Sequence, residues 1–555
     1  MTWQLRKRGE KEKRPKIESM AQLREYMKGV LRKYTEGEVP FGLPRREREK
    51  YTVQVQRLRK ALRACVYGEG GEKAYVKYFI MRELVALHLT LEEKERLLPV
   101  NAPESMTAKQ KFDVLLYSYM KQYGTEGFLR LCTVWDLPGE VERADGVYYE
   151  ITPEDVNRMY EGESPLLTDR EVTELICDEV YEAFGHGVID RLRDCRLEGI
   201  SGGVSGLPEQ FFRYEDEFRG EFAGSHAYDS IFVMFRGNTV RLSFLSFESE
   251  GDLRRVTKSL LRYEALGELS YYNPYMVNDM KDGSRVFACR PPFSESWAFF
   301  VRKFDSIEEK RPEDLIVGEG AESVIGALRL FVEGGLHIAV TGPQGSGKTT
   351  LLKALVRYIN PKYNLRIEES VFELWMRKEF PYRNILTFRE TESVGSTEGL
   401  DAFRKTDGNC LMMGEIGNIQ AAALMIELSQ VSEQQLFTHH AMSTEKLVGY
   451  FRNALLRTGA YSDECMAQMQ VTEALDIHVL CEKDLNGNRY IKEVTEIISG
   501  DGNGSNPLYR YKDGRYEKEN SPTKQLVKKI TERMGEKETT VTERFLWGCG
   551  KSTDM

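Results

Sequence analysis

Residues Gly342–Thr349 read Gly-Pro-Gln-Gly-Ser-Gly-Lys-Thr. The pattern G-x-x-x-x-G-K-[ST] constrains the fold around it. Successive backbone N–H groups must turn inward onto a polyphosphate, so a strand has to deliver the loop and a helix has to leave it. Both are legible. Leu336-His337-Ile338-Ala339-Val340 is an apolar run suited to a buried parallel strand. After the loop, Leu351, Leu352, Leu355, Val356 and Ile359 recur at helical spacing. Gly342, Gln344, Gly345, Ser346, Gly347, Lys348, Thr349 and Thr350 are the candidate phosphate-binding residues. Lys348 brings a point charge to the β and γ phosphates, and the Thr349 hydroxyl is placed to ligate Mg²⁺.

The chain has 555 residues and a net charge of −9, so about three or four domains are expected. The acidic balance argues against general nucleic-acid binding. No stretch approaches 18 apolar residues and the basic start, Met1 to Lys16, lacks an apolar core, so neither a span nor a secretory signal is expected. The nine cysteines are scattered with no C-x-x-C pair and read as reduced, which fits a cytoplasmic protein. Residues 1–50 are basic and poor in apolar positions, and are expected to form a flexible leader. Residues 51–168 are read as a helical accessory domain. Residues 169–308 mix helices with short strand-like runs, an α+β pattern. Residues 309–500 alternate strands and helices, the signature of a mostly parallel sheet. Residues 501–555 are expected to be a partly disordered extension, with a helix over Thr523–Met534.

Hydrolysis needs an acidic residue near Mg²⁺ and the attacking water. Cys410-Leu411-Met412-Met413-Gly414-Glu415 is an apolar run that ends in one, Glu415, a candidate for both catalysis and the metal. Asn364-Leu365-Arg366-Ile367-Glu368-Glu369, with Glu373 beyond it, is a second run closing on carboxylates. His439-His440 follows a third strand, Gln435–Thr438. Strand alternation sends the two imidazoles to opposite faces, so one of them at most meets the nucleotide. A zinc site here has only Cys410 as a further ligand.

The order Gly-Pro-Gln-Gly-Ser-Gly-Lys-Thr, Ile-Glu-Glu-x-x-x-Glu-Leu, Leu-Met-Met-Gly-Glu-Ile, Thr-x-His-Ala resembles the traffic ATPases of type II and type IV secretion and type IV pili. It is most similar to the CpaF-like branch of Flp, or tight-adherence, pili. Phe184-Gly185-His186-Gly187, Asp282-Gly283-Ser284-Arg285-Val286 with Pro291-Pro292, and Val301-Arg302-Lys303-Phe304 extend the likeness upstream. It covers roughly residues 175–500. The resemblance implies an α/β fold, with a RecA-like P-loop NTPase domain preceded by a smaller α+β domain and, here, an N-terminal helical region. It implies ATP and Mg²⁺ as ligands, with Glu415 supporting metal and water, Glu368 as catalytic acid and His440 as reader of the γ-phosphate. Arg285 and Arg302 become candidate domain-closing arginines, and Arg389 and Arg404 align with further family arginines. A homo-oligomer, a hexamer, is implied at the cytoplasmic face of the inner membrane. It would touch the membrane only through a platform protein and bind no specific nucleic acid. Four positions depart from the family pattern. Gly417 replaces an Arg, Glu369 an Asp, Gln430–Gln434 a Thr-Gly-His-x-Gly stretch and Asp407-Gly408-Asn409 an Arg-Pro-Asp. These departures leave two readings, an ATP-hydrolysing motor for pilus assembly or secretion and a nucleotide-binding scaffold of the same machine.

Overall fold

The computed structural model describes residues 16–36, 44–68, 70–143, 146–208, 225–264, 267–304, 311–370, 372–391, 394–484, 487–499, 504–535, 540–541 and 545. The chain divides into two compact units, Met1–Ser306 and Ile307–Met555.

In the first unit, helices are punctuated by threonines. Thr90, Thr107, Thr152 and Thr168 each accept from the backbone N–H three residues on, and the side chain there returns the bond. The strands are β1 (Gly139–Arg143), β2 (Gly146–Ile151), β3 (Gly199–Gly202), β4 (Ile231–Phe235), β5 (Asn238–Leu242), β6 (Tyr275–Asp279), β7 (Arg285–Cys289) and β8 (Ala298–Arg302). They form one sheet in the order β1-β2-β5-β4-β3-β8-β7-β6.

Two expectations are corrected here. The segment read as a flexible leader contains the helix Met20–Glu36 and the start of Arg45–Ala64, while residues 1–15 and 37–43 lie outside the described residues. Leu23, Met27 and Leu31 repeat every fourth position and are fully buried, a stripe too narrow to lift the average hydropathy of a basic segment. Arg24 beside them binds Glu182 at 3.2 Å. Glu182 also accepts from Lys109 at 2.9 Å, and Lys109 from there reaches Asp113 at 2.9 Å. Residues 51–168 are not wholly helical either. The hairpin β1–β2 lies among them, and β2 joins β5 in parallel through Glu150↔Arg241 and Ile151↔Leu242. Nor do these helices have a core of their own. Phe112 packs on Phe244 with ring centroids 4.7 Å apart, and Phe128 packs on Phe235 at 5.4 Å.

The second unit is built on β9 (Ile338–Thr341), β10 (Leu365–Glu369), β11 (Ile385–Arg389), β12 (Cys410–Met413), β13 (Gln434–His439), β14 (Ile477–Lys483), β15 (Arg489–Ile498), β16 (Gly504–Lys512) and β17 (Arg515–Lys518). The order is β11-β10-β12-β13-β9-β14-β15-β16-β17. The first six strands of that order run parallel, and β15 to β17 continue the sheet antiparallel. This is the α/β, RecA-like architecture. Its parallel strands are apolar on both sides because helices cover both faces. One face packs Leu365, Ile367, Ile338 and Val340 against Leu352 and Leu355. The other packs Leu411, Met413, Ala339 and Phe437 against Leu400, Ala422 and Phe451.

The region read as a C-terminal extension also needs correction, since β16 and β17 belong to this sheet. Their turn is Asp513-Gly514, both at positive φ (47° and 86°), a tight hairpin that polar neighbours conceal in a composition scan. The helix Lys524–Met534 lies where Thr523–Met534 is expected and buries Leu526, Val527 and Ile530. Among the described residues, no helix is long and apolar enough to cross a membrane.

If the N-terminal helices and the sheet share one core, Phe112→Ala should cost the first unit about 3–5 kcal/mol. A urea melt followed by circular dichroism measures this. A loss below about 1 kcal/mol would show the helices to be energetically separate.

Candidate functional site

β9 ends at Thr341, the glycine loop follows, and the helix Lys348–Leu355 begins directly after Gly347. The glycines are required by geometry at both ends of the loop. A Cβ on Gly342, whose φ is +143°, would stand 2.1 Å from the Cys481 carbonyl oxygen of β14. Gly347 caps the helix in the left-handed region at φ +89°. Gln344 and Gly345 form the exposed tip, and Ser346 Oγ turns back to donate to the Pro343 carbonyl at 2.9 Å. Thr349 and Thr350, both half-buried, lie in the first turn of the helix. Backbone N–H groups there have no carbonyl four residues earlier in the helix, so they are available to an anion.

Lys348 is buried, and its Nζ donates to the carbonyls of Gly342 and Pro343, each at 3.0 Å. It therefore lies folded along the loop. His440 meets it with Nδ1 3.3 Å from Lys348 Nζ and 3.2 Å from the Gly342 carbonyl. On the other side of the ring, His440 Nε2 lies 3.0 Å from Glu415 Oε1. A carboxylate only accepts, so Nε2 carries the proton, and Nδ1 is then free to accept from Lys348. Three candidates from three separate strand ends thus form one chain, Lys348–His440–Glu415. Glu415 and His440 are both half-exposed, so the pair adds little to stability and remains open to a ligand. His439 points the other way, as alternation requires. It is buried against Tyr450, with ring centroids 4.2 Å apart, and bonds the Ile416 carbonyl at 2.9 Å.

Glu368 does not join this chain. It pairs with Met413 in register and projects from β10 on the face opposite the helix Lys348–Leu355. It is buried, neither carboxyl oxygen has a partner among the described residues, and a Cβ on Gly399 would lie 2.0 Å from Oε2. Burial, with Glu390 and Glu369 adding repulsion, pushes its carboxyl up to about 8. Glu369 occupies the other face. It accepts from the backbone N–H groups of Glu373 and Leu374 at 3.0 and 2.9 Å. Its Cγ would lie 3.3 Å from a Cβ on Gly414, next to Glu415. Burial raises it to about 7, against those backbone bonds and Lys353. Gly417, where the family pattern has Arg, opens onto free space.

Arg285 and Arg302 lie in the first unit as directly paired residues of β7 and β8, on the face that carries Phe287 and Phe300. Arg302 Cζ stands 5.5 Å over the Phe304 ring. Arg389 stacks on Phe372 at 5.2 Å, and the side chain of Arg404 lies outside the described residues. Sequence reasoning missed Gly399, whose missing side chain makes room for Glu368, and Thr438, whose hydroxyl donates to the Gly414 carbonyl at 2.5 Å. Neither position has a local signature.

The Glu368 environment has a measurable consequence. Its carboxyl holds a proton to about pH 8 in the folded chain, against 4.5 for an ordinary glutamate. The native state therefore binds the extra proton, and stability falls as pH rises between those values. Glu368→Gln removes that dependence. The melting temperature of the variant should gain on wild type from pH 5 to pH 8, by differential scanning fluorimetry, and a gap independent of pH would refute the assignment.

Comparison with known proteins places this site in a wider group. Residues 322–477 match the family described as Type II/IV secretion system protein. An uncharacterized protein of Methanocaldococcus jannaschii is 26% identical over 230 residues, 40% of each chain. The type IV pilus retractation ATPase PilT of Pseudomonas aeruginosa is 28% identical over 114 residues, 20% of this chain and 33% of PilT. The chain thus spans well under half the length of these relatives. The solved ATPase DotB of Legionella pneumophila superposes with a TM-score of 0.40 at 12% identity, over 64% of this chain and 85% of that one. The segment 322–477, which holds the glycine loop, both carboxylate clusters and the His439-His440 pair, is thus similar to Type II/IV secretion system proteins.

Proposed function

We propose that the protein is an ATP-hydrolysing motor of the CpaF-like branch, which powers pilus assembly or protein secretion through a membrane platform partner. A homo-hexamer at the cytoplasmic face of the inner membrane is part of this reading. The observation that carries it is the Lys348–His440–Glu415 chain at the mouth of the glycine loop. The similarity to a pilus retractation ATPase supports it.

The residues present fit a nucleotide polyphosphate with Mg²⁺. The loop tip at Gly345 is open, the first turn of the Lys348 helix presents its amides, and Lys348 can exchange two carbonyl partners for phosphate oxygens. Bound ATP·Mg²⁺ supplies the γ-phosphoryl group and a diphosphate leaving group. Lys348 neutralises charge on the β and γ oxygens, and Thr349 offers a hydroxyl to the metal. Glu415 orients water and supports the metal, with His440 fixing the carboxylate through Nε2 and reporting on the γ-phosphate through its link to Lys348. Glu368 holds a proton at neutral pH and could serve as the acid only once the Gly399 helix uncovers it. Arg285 and Arg302 carry permanent, planar charge of the kind that suits a transition-state phosphate.

A second reading, the non-hydrolysing scaffold, is favoured by the burial of Glu368 alone. Phosphate release from Mg²⁺·ATP by the full chain separates the two. Wild type should turn over, and Glu415→Gln should lose about 100-fold or more in kcat while still binding ATP. Wild type with no more turnover than Glu415→Gln would leave the scaffold.

A further inference from the structure

His478 is one of seven histidines, is the second residue of β14 and touches no group assigned a role above. It is almost fully buried, between two fully or nearly buried threonines. Its Nε2 is 2.6 Å from Thr341 Oγ1 and its Nδ1 is 2.8 Å from Thr444 Oγ1. Each hydroxyl can donate and accept, so a neutral imidazole satisfies both bonds whichever nitrogen carries the proton.

What these two threonines precede and follow matters more than the bonds themselves. Thr341 is the last residue of β9 and immediately precedes Gly342, whose carbonyl accepts from Lys348 and lies 3.2 Å from His440 Nδ1. Thr444 opens the helix Thr444–Arg457, four residues after His440. Neighbouring β9 and β13 pair in register as far as His439↔Thr341, and the two loops leave the sheet beyond that pair. His478 is on a third strand, β14, and grips both. On the same strand, the Cys481 carbonyl abuts Gly342 so closely that a Cβ there would come within 2.1 Å.

We propose that His478 is a positioning residue that sets the separation of the glycine loop and the His440 loop, and so the contact between Lys348 and His440. The inference rests on the ATPase reading above for its kinetic readout. Burial lowers the His478 ring to about 4, with Glu493 and Glu445 opposing, so the bridge is neutral throughout the physiological range. It therefore acts as a fixed spacer.

Two variants dissect it in the full chain, because side-chain length matches one nitrogen or the other. His478→Gln reaches the Nε2 position and can keep the bond to Thr341. His478→Asn reaches the Nδ1 position and can keep the bond to Thr444. Thr444→Val removes the second bond at nearly constant volume. Each of the three should lower kcat for Mg²⁺·ATP by about 10-fold or more, with KM and ATP affinity within about threefold of wild type. Combined with His440→Ala, each should cost less than the product of the two separate losses, because His478 acts through His440. Amide hydrogen exchange gives a readout independent of turnover. It should accelerate in peptides covering 342–350 and 440–447 and stay unchanged in β15 and β16. If wild type shows no turnover, the ATPase reading fails, and the exchange measurement still decides this one. Unchanged exchange in either loop, exchange raised across the whole second unit, or full additivity with His440→Ala would overturn the proposal.

Discussion

The approach of Gly342 to the Cys481 carbonyl is the constraint on which the rest of the site depends. A parallel sheet sets neighbouring strands about 4.8 Å apart, and at this point the chain must leave β9 while still pressed against β14. Only a residue without a side chain can make that turn at φ +143°. Once the turn is made, the Gly342 carbonyl points where Lys348 can reach it, with the His440 ring beside it. The helix amides, the lysine charge and the imidazole then converge on one small volume. The loop is thus a product of the sheet as much as of its own sequence.

The electrostatics divide the carboxylates by environment. Glu415 remains half-exposed and keeps a hydrogen-bonded imidazole. Glu369 is buried yet compensated by two backbone N–H groups. Glu368 is buried with no partner among the described residues, under a glycine that leaves no spare room. An uncompensated buried carboxyl avoids the desolvation cost by keeping its proton. Three neighbouring glutamates thus sit in three environments, and motif position alone would have treated them as equivalent acids.

Much of this was legible in the residues. The glycine loop, its strand and its helix followed from local spacing, as did the strand ending at Glu369, the strand that leads into Glu415 and the divergence of His439 from His440. The rest was hidden for identifiable reasons. The helix Met20–Glu36 buries only Leu23, Met27 and Leu31, and that stripe is lost in a basic composition. The β1–β2 hairpin is stabilised by pairing with β5, some ninety residues away, so no local signal could join it to the sheet. The hairpin at Asp513-Gly514 carried its turn signature but sat among polar residues. The side of β10 from which Glu368 projects depends on which helix covers which face, a tertiary fact. His478 was visible only as an isolated histidine in an apolar run, and its meaning comes from two threonines more than thirty residues away.

The central claim is that the loop Gly342–Thr349 holds a nucleotide polyphosphate through Lys348. Isothermal titration of ATP·Mg²⁺ into the full chain tests it directly, against Lys348→Ala. Micromolar binding by wild type, weakened about 100-fold or more in the variant, is the predicted result. Equal affinity of the two proteins, or no binding by wild type, would contradict the account.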